Sequence, residues 1–146
     1  MGNDKFAFCS KEWVAVADQF LKGAAKDADL SGIEYSFSEV FANAPAELNP
    51  DAEGRVGWYF RVHNGAVEAG CGILEDPDAS VVSDYEAIVP LARMVFADDP
   101  DAATEAQKVI ESLVESGNFT RTSKLESPPD LPWTGNLHDV LARHTL

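Results

Sequence analysis

Basic residues are scarce in this sequence: 11 Lys and Arg stand against 25 Asp and Glu, a formal net charge of −14. A surface of that sign repels phosphate backbones and anionic headgroups, which argues against nucleic acid as a partner. Cysteine is limited to Cys9 and Cys71, too few for a disulfide framework, and both read as reduced, buried thiols. No apolar run approaches the ~20 residues of a membrane span, so stable membrane insertion is not expected. The start, Met1-Gly2-Asn3-Asp4-Lys5-Phe6, has no signal-peptide core and carries Phe6 where a myristoylation signal needs Ser or Thr. The expectation is a cytoplasmic protein, in which the Asn118-Phe119-Thr120 sequon has no role.

Recognisable catalytic motifs are also missing. Gly70-Cys71-Gly72-Ile73-Leu74-Glu75 begins like a dinucleotide fingerprint, but Glu75 replaces the third glycine and Asp76-Pro77 follows in place of a helix. Phosphate-loop and nucleophile-elbow patterns are absent. His138 and His144 are six positions apart, on nearly opposite sides of a helix, and read as surface residues. Asp98, Asp99 and Asp101 read as helix-capping carboxylates, and Asp76 and Asp78 as turn residues, with Val81 where a calcium loop would need glycine. No catalytic residue, metal ligand or cofactor is assigned on these grounds.

What is present is a pattern of alternating periods. The chain is 45% hydrophobic and 25% charged, a globular balance, and its 146 residues read as one domain spanning 1–146. Chains of this size bury about 68–70% of their unfolded surface. Trp13, Val16, Ala17, Phe20, Leu21 and Ala24 make one face of a helix over 10–28, started by Ser10. From Ile33 the period becomes two, with Tyr35 and Phe37 on the same side, and a second alternation runs Val56, Trp58, Phe60, Val62. Asn64-Gly65 predicts a type I′ hairpin into a third strand through Val67, Ala69, Cys71 and Ile73. A short strand at 79–82 precedes a capping box from Ser83 to Glu86, which opens a helix that Pro90 should bend or split. A further helix ends at Gly117, a strand covers 118–125, Pro128-Pro129 and Pro132 force an extended crossing, and Asn136 caps a last helix.

The order is helix, three-strand meander, short strand, two helices, strand, helix, which defines an α/β (α+β) domain whose helices can all cover one face of one sheet. Following the alternation, Tyr35, Phe37, Trp58 and Phe60 point inward, and Phe20, Leu91, Val95, Ile110, Leu113 and Leu141 come down on them. Such a stripe is either core or the wall of a ligand site. Two polar residues interrupt it: Glu39 follows Phe37 in the inward register, and Arg121 follows Phe119. Either is a strand-end group reaching water or, for Arg121, a partner for a ligand carboxylate or phosphate at a cavity mouth.

Three stretches resemble the sterol carrier protein 2 family: 33–41 (IEYSFSEVF) running into Ala44-Pro45, 57–62 (GWYFRV) and 76–81 (DPDASV). The resemblance covers most of residues 10–125. It implies a five-stranded mixed sheet with helices packed on one face and, between them, an apolar tunnel for sterols, steroids, fatty acids or acyl derivatives. On the matching positions Trp58, Phe60 and Val81 would line that tunnel. The tail departs from the family pattern, and 128–146, with Trp133, Leu137 and Leu141, reads as a lid helix. The expected function is binding and carriage of an apolar small molecule. Two alternatives stand beside it: an enzyme using Glu39, Tyr35 or Asp84 as acid or base on a bound lipid, and an accessory subunit taking a partner helix in an apolar groove.

Overall fold

The computed structural model describes residues 4–126, 129–133 and 135–146. Helix α1 (Lys11–Ala25) starts where the extended Ser10 turns its hydroxyl to accept from the Trp13 amide at 3.2 Å, the cap expected from the sequence. Its buried face is Trp13, Val14, Ala17 and Leu21. That face is rotated from the one the spacing predicts: Val14 takes the buried place, and Val16 and Phe20 lie half-buried on the flank.

Five strands follow: β1 (Tyr35–Ala42), β2 (Val56–His63), β3 (Ala66–Cys71), β4 (Ala79–Asp84) and β5 (Phe119–Ser123). The β2–β3 turn has the positive φ angles of a type I′ turn, 52° at Asn64 and 78° at Gly65. Strand β3 stops at Cys71, short of the expected Ile73, because Gly72 turns the chain at a φ of 134°. The sheet order is β3-β2-β1-β4-β5, with β1 antiparallel to β2 and parallel to β4. The chain therefore leaves one edge and crosses beyond β1 through residues 72–78. Two reciprocal bonds fix where it lands: the Ser36 amide donates to Asp78 Oδ2 at 2.9 Å, and the Asp78 amide donates to Ser36 Oγ at 3.1 Å. They set Phe37 opposite Ala79 and, two residues on, Glu39 opposite Val81.

The remaining helices are α2 (Tyr85–Ala92), α3 (Ala102–Ser116) and α4 (Leu137–Arg143). The cap of α2 is Asp84, the last residue of β4, whose Oδ2 accepts from the Ala87 amide at 3.1 Å, and not Ser83, which is paired with both Phe41 and Phe119. Pro90 has no amide to donate, and α2 ends two residues later. Phe96–Asp98 then form a separate 3-10 turn, so the expected helix is split and Val95 sits in extended backbone between the pieces. Gly117, left-handed at a φ of 81°, ends α3, and the Asn118 amide donates back to the Leu113 carbonyl at 2.8 Å. Neither Asp101 nor Asn136 caps its helix through a side chain.

Aromatic contacts bind the helical layer to the sheet. The Trp13 ring meets Phe8 at 5.1 Å and Trp58 at 5.3 Å, both edge-on. Trp13 Nε1 donates to Thr145 Oγ1 at 3.0 Å, and that hydroxyl donates to the Leu141 carbonyl at 2.7 Å. One threonine thus ties the first helix to the last. Thr145→Val, which keeps the shape but strands a buried indole N–H, is expected to lower unfolding free energy by about 1–3 kcal/mol in urea titration. An unchanged midpoint would show that the indole finds another acceptor.

Candidate functional site

Between the inner face of the sheet and the helices lies a cavity of about 630 Å³, within the ~300–1,000 Å³ typical of small-molecule sites. Its floor is two rows of side chains running across the strands. One row is Phe60, Phe37, Ala79 and Ser123; the next is Trp58, Glu39, Val81 and Arg121. The roof comes from Ile88, Leu91 and Ala92 of α2, Ile110 of α3, and Leu137, His138 and Leu141 of α4. Phe96 of the 3-10 turn and Leu131 and Trp133 of the segment before α4 complete it. Phe37 is only half-buried although it sits on the inner face of the central strand, because open space lies beside it.

Eleven of the fourteen residues expected to face a ligand are on this wall: Tyr35, Phe37, Trp58, Phe60, Val81, Leu91, Ile110, Arg121, Trp133, Leu137 and Leu141. Phe20, Val95 and Leu113 are not. Phe20 lies on the flank of α1, which packs over the edge strand β3. Val95 loses its helical position to the break after Pro90. Leu113 packs half-buried further along α3, past the edge of the cavity. Residues 129–133 and α4 bring Leu131, Trp133, Leu137 and Leu141 onto the wall; Trp133, 2% exposed, meets Phe60 edge-on at 5.7 Å. Pro128, where the expected lid begins, lies outside the described residues.

Other wall residues escaped the pattern. Phe8 and Leu131 stand in stretches without any period, so nothing in their spacing marks them. His138, expected on the surface, is half-buried: its ring stacks on Phe96 at 4.2 Å and 6°, and its Nε2 lies 2.8 Å from the Met94 carbonyl. Cys9 is buried, as expected, but Cys71 is exposed. Asp84 is absent from the wall; besides capping α2 it accepts from Asn43 Nδ2 at 2.7 Å, which withdraws it from acid–base candidacy.

Glu39 is the polar feature of the floor. It occupies the middle of β1, away from either strand end, and its half-buried side chain lines the cavity. Its Oε1 accepts from Trp58 Nε1 at 2.8 Å, and Oε2 has no hydrogen-bond partner among the described residues. Burial pushes the carboxyl up to about 6, against the opposing pull of the Trp58 bond and of the Arg121 charge. The Tyr35 phenol is also raised, by burial first and the Asp78 charge second. Arg121, on the edge strand, is exposed at the rim with its guanidinium 5.8 Å from the Phe119 ring. Among the described residues no group of three or more His, Cys, Asp or Glu side chains is placed to hold a metal ion, and no helix is long and apolar enough to cross a membrane.

The arrangement is an open mixed sheet with an apolar chamber under one helical layer, and solved structures show which fold this is. No protein-family model matches the sequence, and no curated protein matches it. The solution structure of a conserved hypothetical protein from Thermus thermophilus, for which sterol carrier protein is the suggested identity, superposes with a TM-score of 0.52. It has 13% identity and covers 98% of this chain and 95% of that one. A crystal structure of sterol carrier protein 2 gives the same TM-score and identity over 92% of this chain and 97% of its own. The chain has the sterol carrier protein 2 fold.

The Glu39 environment makes a stability prediction. Its carboxyl titrates above the ordinary 4.5, at about 6, so folding is penalised increasingly as pH rises through that interval, toward about 2 kcal/mol once the buried group is ionised. Glu39→Gln keeps an acceptor for Trp58 and cannot ionise. Its stability relative to the parent should therefore improve by about 2 kcal/mol between pH 4 and pH 7 in denaturant titrations. A difference that stays flat across that range would mean that Glu39 ionises as it would in water.

Proposed function

We propose that this chain binds and carries an apolar small molecule, such as a sterol, steroid, fatty acid or acyl derivative, in the cavity beneath its helices. The observation that supports this most is the chamber itself: about 630 Å³ of space walled by aromatic and aliphatic side chains in the middle of the fold. Interiors ordinarily pack to the density of organic crystals, so an apolar cavity of this size is suited to a small-molecule guest. A ligand burying ~300 Å² of apolar surface gains about 7 kcal/mol before association costs, which needs no polar motif. Trp58, Phe60, Phe37, Val81, Ile110 and Leu91 are its main contacts, and the tail carrying Trp133, Leu137 and Leu141 acts as the closing segment. The sterol carrier protein 2 fold supports the same role. Two free thiols suit the reducing cytoplasm, where this carriage would take place.

A second reading has one observation in its favour. Glu39 lies in an apolar cavity with its carboxyl raised to about 6, the tuning that makes a carboxylate an acid–base catalyst near neutral pH. Under that reading a bound steroid or lipid would be turned over, with Tyr35 as the second proton-handling group. Large apolar side chains that remain exposed, Val82, Val114, Leu125 and Leu146, sit on separate elements, and nothing about them favours a groove for a partner helix.

Thermal denaturation against a panel of lipids tests the carrier role. A ligand at a hundred times its Kd should add about 2.7 kcal/mol of stability and raise Tm accordingly. Ile110, half-buried on the wall, allows a folded variant: Ile110→Glu is expected to keep the parent Tm within a few degrees and weaken uptake about tenfold or more, because an unpaired charge is placed against the ligand. Undiminished affinity in that variant would remove the cavity from the binding site, and consumption of a lipid during incubation would favour the enzyme.

A further inference from the structure

The chamber is not uniformly oily, and the carboxylate at the centre of its floor constrains what can enter. Glu39 stands in the centre of the floor, between Trp58 and Val81, with apolar residues above it from α2 and α3. One carboxylate oxygen is held by the Trp58 indole at 2.8 Å. The other has no hydrogen-bond partner among the described residues and belongs to a half-buried side chain on the cavity wall, so covering it without supplying a partner is costly. An occupant made only of hydrocarbon would cover that oxygen and leave it unsatisfied.

We propose that Glu39 is the polar anchor of the ligand, and that the molecule it selects is a neutral apolar alcohol, bound with its hydroxyl donating to Oε2 and its hydrocarbon body lying along Phe37 and Phe60. The inference rests on the binding role argued above and adds the chemical class of the guest. An ionised carboxylate accepts hydrogen bonds and cannot donate them, so it needs a donor. A hydroxyl supplies one. A fatty carboxylate has none to give and would bring a second negative charge beside the first between apolar walls, where like charges repel more strongly than in water. Such a ligand is left with Arg121, exposed at the rim at the far end of the same row. It would lie head-out where the alcohol lies head-in, and in water-exposed surroundings the guanidinium gives it a weaker hold.

The test uses four ligands with one chain length: dodecan-1-ol, its methyl ether, dodecanoate and dodecane. Each is titrated at pH 8, where Glu39 is ionised, and followed by the fluorescence of the wall residues Trp58 and Trp133. The alcohol should bind about tenfold or more tightly than each of the other three, the scale of a hydrogen bond to a charged group. Glu39→Gln should shrink the margin over dodecanoate to about threefold or less while dodecane affinity stays at the parent value or rises. The comparison of alcohol with methyl ether in the unaltered protein needs no variant and tests the donated proton alone. Equal affinity of alcohol and ether, or a margin that survives Glu39→Gln, would overturn the anchor while leaving the carrier role intact. Failure of all four to bind would instead strike at the carrier role on which the anchor depends.

Discussion

The hydrogen bond between Trp58 and Glu39 sits where a protein interior least tolerates an unsupported charge, in the middle of the inward face of the central strand. A carboxylate there is held only because an indole N–H from the neighbouring strand reaches it at 2.8 Å and because space is left beside it. Closing the helices onto Glu39 would remove that space and raise the desolvation cost further. The rest of the architecture is consistent with holding them apart. Tyr85 donates its hydroxyl to the Phe8 carbonyl at 2.7 Å, and the rings of Phe8, Trp13 and Trp58 meet edge to face as a stiff pillar at one end of the chamber. Aromatic rings fill such a pillar with few rotatable bonds, so it resists collapse at small entropic cost.

The roof, by contrast, is assembled from short pieces. Helix α2 ends soon after Pro90, a 3-10 turn carries Phe96 to the wall, and α4 is only seven residues long. Side chains join these pieces. Asp139 of α4 accepts from the Phe96 amide at 2.8 Å and from the Ala97 amide at 3.2 Å, while the His138 ring stacks on Phe96. The C-terminal stretch is itself fastened to the N-terminal one, with the Phe6 amide donating to His144 and the Leu146 amide donating to Phe6 at 2.8 and 3.0 Å. A roof of short, hydrogen-bonded segments opens more cheaply than one long helix, which suits the proposed carrier role. The sheet below, pinned by the Ser36–Asp78 pair, supplies the fixed floor.

Much of this was legible in the residues. The alternations through Tyr35, Phe37 and Glu39 and through Trp58 and Phe60 state the floor directly, because a period of two leaves no choice of face once the hairpin register is set by Asn64-Gly65. Helix edges were harder. The capping-box pattern at Ser83 lost to Asp84 because Ser83 is paired on both sides of β4, with Phe41 and Phe119, whereas Asp84 is the last residue of the strand, and Val95 left the roof because Pro90 ended the helix that would have carried it. The flank position of Phe20 depends on how α1 rolls over β3, which apolar spacing fixes only to within part of a turn. Phe8, Leu131 and His138 were hidden for a different reason: they reach the wall from irregular chain or through contacts distant in sequence, where no period exists to read. The sterol carrier protein 2 fold, at 13% identity to solved examples, shows how little of such an architecture is carried by particular residues and how much by the placement of apolar and polar ones.

The central claim is that the chamber holds an apolar molecule, and native mass spectrometry of the purified protein addresses it most directly. The account predicts a complex heavier than the 15.8 kDa chain by the mass of one lipid, either as isolated or after incubation with a total lipid extract, with the same lipid recovered on organic extraction. A bare chain under both conditions would contradict it.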